Sequence, residues 1–128
     1  MISIEETEKI HKVLVDTFGG THGIRDLDAL QSALSRPFQT FDNADLYPGV
    51  LEKAASLIES LLNNHPFVDG NKRTGYVLTR LFLLTNKYNI EATQQDKYDF
   101  VISIASGKIR YKEILIWLES HTKKQTDA

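Results

Sequence analysis

The sequence predicts an all-α protein, a compact bundle of about six helices. Three observations lead to this prediction. Apolar residues recur at every third or fourth position along most of the chain, which is the spacing of one helical face. Capping or helix-breaking residues stand at the ends of these stretches. No strand pattern is convincing, apart from two possible short strands within residues 37–48.

The composition is that of an ordinary soluble domain, with 41% hydrophobic and 25% charged residues in a chain of 128. We place one domain at 1–121 and a polar, frayed tail at 122–128. A net charge of −2 argues against direct nucleic-acid binding, and the absence of cysteine excludes disulfides and thiolate metal sites. Without a membrane-length apolar run or a signal-peptide pattern, we expect a cytoplasmic protein with no membrane partner.

The first predicted helix begins after Ser3, whose hydroxyl can cap it, and ends at Gly19. Its apolar side is formed by four residues at helical spacing: Ile10, Val13, Leu14 and Phe18. We expect His11 and His22 to be surface or capping residues, because both lie outside any catalytic motif.

The second predicted helix covers residues 27–35, with Asp26 as its cap and Pro37 after its end. Its apolar residues are Leu27, Leu30 and Leu34. Arg25 and Asp26 are expected to form a charged pair that pins the preceding loop to the body. The irregular stretch 37–48 follows, and loops of that length are often functional.

The third predicted helix has Pro48 in its first turn and carries a continuous apolar stripe. Because His65 continues this stripe, its imidazole is expected to be held at the edge of the core. Pro66 then stops the helix, and Phe67 is expected to pack inside. The fourth helix, from Gly70 to Thr85, is so apolar that we expect it to be buried on all faces as the central helix.

Residues 86–92 are predicted to be a turn. Thr93 is a good cap for a fifth helix, which Gly107 closes. A sixth helix is indicated by apolar residues at helical spacing: Tyr111, Ile114, Leu115 and Leu118, with Trp117 beside them.

The densest group of functional side chains lies between the third and fourth helices. Asp69 can cap the fourth helix, and Gly70 can relax the turn into it. The free backbone N–H groups at such a helix end attract anions, phosphate above all. Lys72 and Arg73 add two positive charges, and an arginine can bind phosphate through two parallel hydrogen bonds.

Two further residues suggest catalysis. The carboxylate of Asp69 would repel a phosphate unless a divalent cation lay between them. Mg²⁺ commonly bridges a carboxylate and phosphate oxygens. His65 is the neutral-pH base of the group. A base, a metal carboxylate and a phosphate cradle point to phosphoryl or nucleotidyl transfer. The alternative is a capping histidine beside a solvated Lys-Arg pair, which requires five polar residues to meet at one helix end by accident.

Residues 65–73 read His-x-Phe-x-Asp-x-Asn-Lys-Arg and resemble the core motif of the Fic/Doc family. Further resemblance to its death-on-curing (Doc) branch lies in three segments: Phe18-Gly19-Gly20, Gly23-Ile24-Arg25-Asp26 and Ala33-Leu34-Ser35-Arg36-Pro37. The resemblance extends from about residue 10 to residue 117 and implies the Fic/Doc fold. It also implies that residues 37–48 form a flap that docks the target.

Fic enzymes transfer AMP from ATP to a hydroxyl, whereas Doc toxins transfer phosphate from a nucleoside triphosphate to a threonine of elongation factor Tu and stop translation. Fic enzymes have glycine at the position of Lys72 and a second arginine at that of Tyr76, so both differences favour the Doc branch. One difference, Gly70 in place of the alanine of the best-known Doc form, is small. No inhibitory-helix pattern is present, which implies control by a separate antitoxin.

The resemblance therefore implies a kinase-like toxin of a toxin–antitoxin pair that uses ATP or another nucleoside triphosphate and Mg²⁺. His65 would accept the proton of the target hydroxyl, and Asp69 would hold Mg²⁺. The phosphates would be bound by Gly70, Asn71, Lys72 and Arg73. Lys72 and Arg73 would also be catalytic, because they would steady the charge of the transition state. Two alternatives stay open: a Fic-like AMP transferase, and a non-catalytic module that binds an antitoxin or an anion.

Overall fold

The computed structural model describes residues 2–126 and confirms an all-α protein. The helices within this range are α1 (Ile4–Phe18), α2 (Leu27–Ser35), α3 (Val50–Asn64), α4 (Asn71–Thr85), α5 (Gln94–Ala105) and α6 (Tyr111–His121). A short 3₁₀ helix, Arg36–Phe38, follows α2. Four short strands form two antiparallel pairs, β1 (Thr40–Phe41) with β2 (Ala44–Asp45) and β3 (Tyr88–Ile90) with β4 (Thr122–Lys124).

Helix α3 is the central element of the bundle, because α2, α4, α5 and α6 all pack against it. Every residue from 54 to 62 is buried. The prediction that α4 is buried on all faces is therefore wrong, since Arg80 and Leu81 are exposed on its outer side. Apolar side chains often remain partly exposed in folded proteins, so an apolar run alone does not identify the innermost helix.

Two apolar clusters pack around α3 and fix the segment that joins it to α4. The larger cluster lies towards α5, α6 and β3. The smaller one lies towards α2 and includes Phe67, which is 2% exposed, as predicted for a core residue. Gly75 lets α4 approach α3 closely, because a Cβ there would lie 2.8 Å from Leu62 Cδ2. The start of α4 is thus seated firmly on the central helix.

Several predicted helix boundaries are confirmed by their caps. The Ser3 and Asp26 side chains accept backbone N–H groups at 3.0 Å at the starts of α1 and α2, and Gly19 ends α1 with a φ of 92°. Two predicted starts are wrong. Pro48 lies before α3, whose N-cap is Gly49, and the N-cap of α4 is Gly70 rather than Asp69.

The side of α1 that faces the core also differs from the prediction. Its buried residues are Thr7, His11 and Val15, whereas Val13 and Phe18 are each 61% exposed. The buried face of α1 includes polar residues because α1 packs on α4 and on the loop before α4, and not on an apolar layer alone.

Residues 37–48 contain the two short strands that the sequence predicted, joined in a hairpin. Asp42 and Asn43 have φ values of 53° and 64°, as in the two-residue turns favoured by hairpins. Phe38 anchors the base of the hairpin against Phe82, with ring centroids 6.2 Å apart. Phe41 is 75% exposed at the other end.

The second strand pair was not predicted. The expected turn over residues 86–92 contains β3, and the expectation of a frayed tail is wrong for Thr122–Lys124, which form β4. Residues 127 and 128 of that tail, and Met1, lie outside the described residues. The assignment of one domain to 1–121 stays a prediction. Within residues 2–126, no helix combines the length and apolar character needed to cross a bilayer.

Candidate active site

The candidate site is built on residues 65–70, called the motif loop below, which joins α3 to α4. As predicted, α3 ends before His65 and Pro66, and His65 takes a left-handed conformation with a φ of 48°. Phe67 forms an isolated antiparallel bridge with Ile24. Gly70, with a φ of 74°, then turns the chain into α4. Two left-handed residues thus reverse the chain within this short segment.

Asn71 closes the motif loop with its side chain. Its Oδ1 accepts the Phe67 N–H, and its Nδ2 donates to the Phe67 carbonyl, each at 2.9 Å. Both polar groups of the amide are therefore used to shape the loop. A phosphate contact from Asn71 could come from its backbone N–H at the start of α4 or from the second N–H of Nδ2.

The loop between α1 and α2 lies along the motif loop and is bonded to it through the backbone. The Val68 N–H donates to the Gly23 carbonyl at 3.0 Å. The N–H groups of Arg25 and Asp26 donate to the Pro66 carbonyl at 2.8 and 3.1 Å. The loop between α1 and α2 therefore holds the motif loop at Pro66 and at Val68.

Arg25 adds a side-chain anchor, but not through the predicted ion pair with Asp26. Its Nε donates to the His65 carbonyl at 2.7 Å, and its Nη2 donates to the Asn64 carbonyl at 2.9 Å. A guanidinium at these last carbonyls also complements the negative end of the α3 dipole. The expectation that Arg25 pins the loop is confirmed, while Asp26 serves as the cap of α2.

His11 holds the motif loop from the side of α1. It is 4% exposed, and its ring stacks on that of Phe67 with centroids 3.9 Å apart. Its Nε2 lies 2.8 Å from the Asp69 carbonyl oxygen. The prediction of a surface or capping role is wrong for His11 but holds for His22, which is half exposed and pairs with Asp16. The buried residues at positions 7, 11 and 15 share one helical face, but two of them are polar, so apolar spacing did not indicate that His11 is buried.

Asp69 lies exposed on the outer side of the motif loop. Its Oδ1 accepts the Gly70 N–H at 2.8 Å, and its Oδ2 accepts the Thr21 N–H at 3.2 Å. The carboxylate is thus oriented, and each oxygen keeps a lone pair for a cation. No group of three or more acidic, histidine or cysteine residues in the described part of the chain could hold a metal alone. Asp69 therefore fits an ion that brings water and phosphate ligands, as Mg²⁺ does.

Lys72 and Arg73 are exposed in the first turn of α4. The Arg73 guanidinium lies 4.4 Å from the centroid of the Phe18 ring. Neither cation forms an ion pair with another residue of the range 2–126. Both line a cavity of about 400 Å³ between α4 and α5, together with Tyr76 and Tyr98. Unpaired positive charge at a helix N-terminus favours an anionic ligand.

Tyr76 lines the same cavity, but not with its hydroxyl. Burial raises the pKa of its phenol, although nearby Arg80 acts in the opposite direction. The hydroxyl is buried and has no hydrogen-bond partner among the described residues. A ligand in the cavity would therefore meet other atoms of Tyr76.

His65 differs from the prediction, because its side chain is exposed rather than held at the edge of the core. The left-handed backbone at His65 turns the residue out of the α3 stripe. Its ring has no hydrogen-bond partner in the described range, and His65 is not among the described residues that line the Lys72–Arg73 cavity. The base and the two cations therefore flank one loop rather than share one cavity.

Comparison with known proteins agrees with this motif. Residues 1–83, more than half of the chain, match the family model described as "Fic/DOC family". The chain belongs to the Fic/DOC family. It is 43% identical over 75 residues to "Toxin Doc" of Mycolicibacterium smegmatis, which confirms the resemblance to the Doc branch. That match covers 59% of this chain and 58% of the relative, so the chain spans less than two thirds of the relative's length.

The Fic/DOC motif of this chain divides into two sets of side chains. Phe67 and Asn71 point inward and build the loop, together with His11 from α1. The other set is exposed: His65, Asp69, Lys72 and Arg73. The exposed set contains a base, an acceptor for a cation and two donors for an anion, which is what transfer of a phosphate-containing group needs.

Proposed function

We propose that this Fic/DOC protein is a Doc-like toxin of a toxin–antitoxin pair. In this proposal it acts as a kinase-like phosphotransferase that moves phosphate from a nucleoside triphosphate, such as ATP, to a hydroxyl of a protein. The observation that carries the proposal is a pair of cations, Lys72 and Arg73, at the N-terminus of α4 beside the oriented Asp69 carboxylate; neither is ion-paired within the described residues. The similarity to a protein named Toxin Doc supports the toxin role.

The triphosphate binds at the first turn of α4. Free backbone N–H groups there point towards an anion, Arg73 can form two parallel hydrogen bonds to a phosphate, and Lys72 acts as a compact charge. Asp69 is the residue that would hold Mg²⁺. When bound, Mg²⁺ supplies positive charge that offsets the charge of the phosphate oxygens.

The reaction is an in-line displacement at the γ-phosphorus. The hydroxyl oxygen of the target forms a bond to phosphorus, and the bond from phosphorus to the β,γ-bridging oxygen breaks. The nucleoside diphosphate leaves, and His65 accepts the hydroxyl proton. The exposure of His65 supports this role, because the proton donor belongs to a second protein that has to reach it.

Transfer of phosphate rather than AMP is favoured by two residues of α4. Lys72 stands where Fic enzymes have a glycine that leaves room for the nucleotide phosphates, and Tyr76 stands in place of their second arginine. AMP transfer would instead break the bond between the α- and β-phosphates and release pyrophosphate. The two reactions leave different adducts on the target.

The target proposed here is elongation factor Tu, so the toxin would act in the cytoplasm and inhibit translation. The β1–β2 hairpin, with exposed Phe41, is the segment that meets the target. A cognate antitoxin controls the activity.

The test is transfer of labelled phosphate to purified elongation factor Tu. Reactions contain Mg²⁺ and a nucleoside triphosphate labelled at either the γ- or the α-phosphorus. We expect γ-label in the target, and mass spectrometry should find a phosphate adduct. His65→Ala should lower the rate by about 10²–10⁴-fold, the usual contribution of a general base. His22→Ala, an exposed histidine outside the motif, is the control and should react like the unsubstituted protein.

The outcomes separate the alternatives. An AMP adduct would support Fic-like chemistry, and absence of label with all four ribonucleoside triphosphates would contradict the kinase proposal for this target. If expression arrests growth and His65→Ala arrests it equally, binding alone accounts for toxicity and catalysis is not the cause.

A further inference from the structure

The geometry points to His11 as a positioning residue for the Asp69 carboxylate, although His11 lies on α1, outside the motif. This inference rests on the proposed function, because it takes Asp69 as the residue that would hold the Mg²⁺ of the bound nucleotide. In this view α1 and the loop that follows it orient the Asp69 carboxylate. His11 is the side chain of α1 that does so.

The hydrogen bond between His11 and Asp69 requires a proton on one particular ring nitrogen. A carbonyl oxygen can only accept, so Nε2 of His11 has to carry the proton that it donates to the Asp69 carbonyl at 2.8 Å. Stacking on Phe67, at an interplanar angle of 7°, restricts rotation of the ring. Because His11 is 4% exposed, bulk water has little access to compete for this bond.

The bond reaches the carboxylate through one peptide plane. The Asp69 carbonyl and the Gly70 N–H belong to the same peptide group, which is rigid and planar. The Gly70 N–H donates to Asp69 Oδ1 at 2.8 Å. His11 therefore fixes the peptide that in turn orients the carboxylate, without touching the carboxylate itself.

The other carboxylate oxygen is oriented by the segment after α1. The Thr21 N–H donates to Asp69 Oδ2 at 3.2 Å. Gly20 has to be small here, since a Cβ on it would lie 2.9 Å from Oδ2. The helix and its loop thus act on Asp69 from both sides, and residues that support a metal ligand in this way typically matter about 10–100-fold for metal affinity or activity.

The test compares His11→Phe, His11→Gln and the control His121→Phe. His121, on α6, also stacks on an aromatic ring and contacts a backbone carbonyl, in both cases with Trp117, and it lies outside α1 and the motif loop. Phenylalanine keeps the stacking but loses the donor, while glutamine can keep a donor to the Asp69 carbonyl. Binding of Mn²⁺ in the presence of ATP is measured by electron paramagnetic resonance. We expect His11→Phe to weaken it about tenfold, His11→Gln to restore part of the loss, and His121→Phe to leave it unchanged.

Two further readouts distinguish positioning from general destabilisation. Long-range ¹H–¹⁵N correlation spectra of the unsubstituted protein should show His11 protonated at Nε2, a result that needs no variant. In the transfer assay, His11→Phe should lower kcat while the KM for the protein target stays the same, because the target does not contact His11.

Several results would overturn the inference. One is a neutral His11 that carries its proton on Nδ1, and another is a folded His11→Phe protein that binds Mn²⁺ like the His121→Phe control. If the unsubstituted protein binds no Mn²⁺ with ATP, Asp69 is not a metal residue and the inference fails with it. If Mn²⁺ binding responds as expected but no phosphate is transferred, the proposed reaction fails and the positioning role stands.

Discussion

Two groups of charged residues in this molecule differ in whether their side chains have partners within the protein. The first surrounds Glu59 in the middle of α3, where Arg36 Nη1 donates to Glu59 Oε1 at 2.8 Å and to Ser60 Oγ at 3.0 Å. Glu59 Oε2 accepts the Tyr111 N–H at 2.7 Å. The second group is the exposed set of the motif, in which His65 and Lys72 have no such partners among the described residues.

The difference separates structural charges from functional ones. Burial alone lowers the pKa of Arg36, but hydrogen bonds to Glu59 and Tyr47 outweigh that effect and raise it, so Arg36 stays protonated. Paired charges around Glu59 join the base of the hairpin to α3. His65 and Lys72 make no such contacts within residues 2–126, which leaves them available to a ligand.

The largest expected effect on stability comes from breaking the first group. Arg36→Ala leaves Glu59, whose side chain is 9% exposed, with only the more distant Arg110 as a cation. The free energy of unfolding should fall by about 2–3 kcal/mol, below the roughly 3–5 kcal/mol of fully buried pairs because Arg36 is partly exposed. Urea denaturation measures this change.

The matched control is Lys12→Ala, which removes an ion pair to Asp16 at 3.1 Å between two exposed side chains. Solvent screens such a pair, so the unfolding midpoint should hardly move. Equal losses in the two variants would contradict the distinction between buried and exposed charges.

A smaller loss of stability is expected inside the motif loop itself. Asn71→Ala removes both hydrogen bonds to the Phe67 backbone and should lower the free energy of unfolding by about 2 kcal/mol, or about 1 kcal/mol for each bond. Asn86→Ala, which removes one bond at an exposed helix end, is the comparison. If both asparagine variants unfold at the same urea concentration, Asn71 does not hold the loop.

The smallest free-energy change is expected for an exposed cation of the motif. Arg73→Ala should weaken ATP binding about tenfold, which corresponds to about 1.4 kcal/mol. Its unfolding midpoint should stay close to that of the unsubstituted protein, because Arg73 pairs with no acidic residue in the described chain. Calorimetric titration with ATP measures the affinity.

Arg80→Ala on the same helix provides the control, since Arg80 is exposed and lies two turns beyond Arg73. It should bind ATP normally. Equal weakening by the two substitutions would show that the general field of α4, rather than a site at its first turn, attracts the nucleotide.

The sequence could predict what depends on neighbouring residues. The helices, the caps at Ser3 and Asp26, the hairpin strands and the break before Pro66 all follow from local spacing and backbone preference. The residues of the motif loop were found for the same reason, because they are contiguous.

Contacts between residues far apart in the sequence could not be predicted from local spacing. His11 and Asp69 are 58 positions apart, and nothing near His11 indicates its partner. The polar residues of β4 show no apolar alternation, so their pairing with β3 had no signal. His65 points outward because its backbone is left-handed. The spacing of apolar residues in α3 carries no information about that conformation.

The pairing of β3 with β4 has a practical consequence for shortened versions of this protein. The ladder is continued by hydrogen bonds from Glu91 N–H to the His121 carbonyl and from Gln125 N–H to the Lys87 carbonyl, each at 2.7 Å. A chain cut after residue 121 would leave the backbone of Tyr88–Ile90 as an open edge, and such edges recruit strands from other molecules. The polar residues Thr122–Lys124 thus cover a strand edge that would otherwise be open to other molecules.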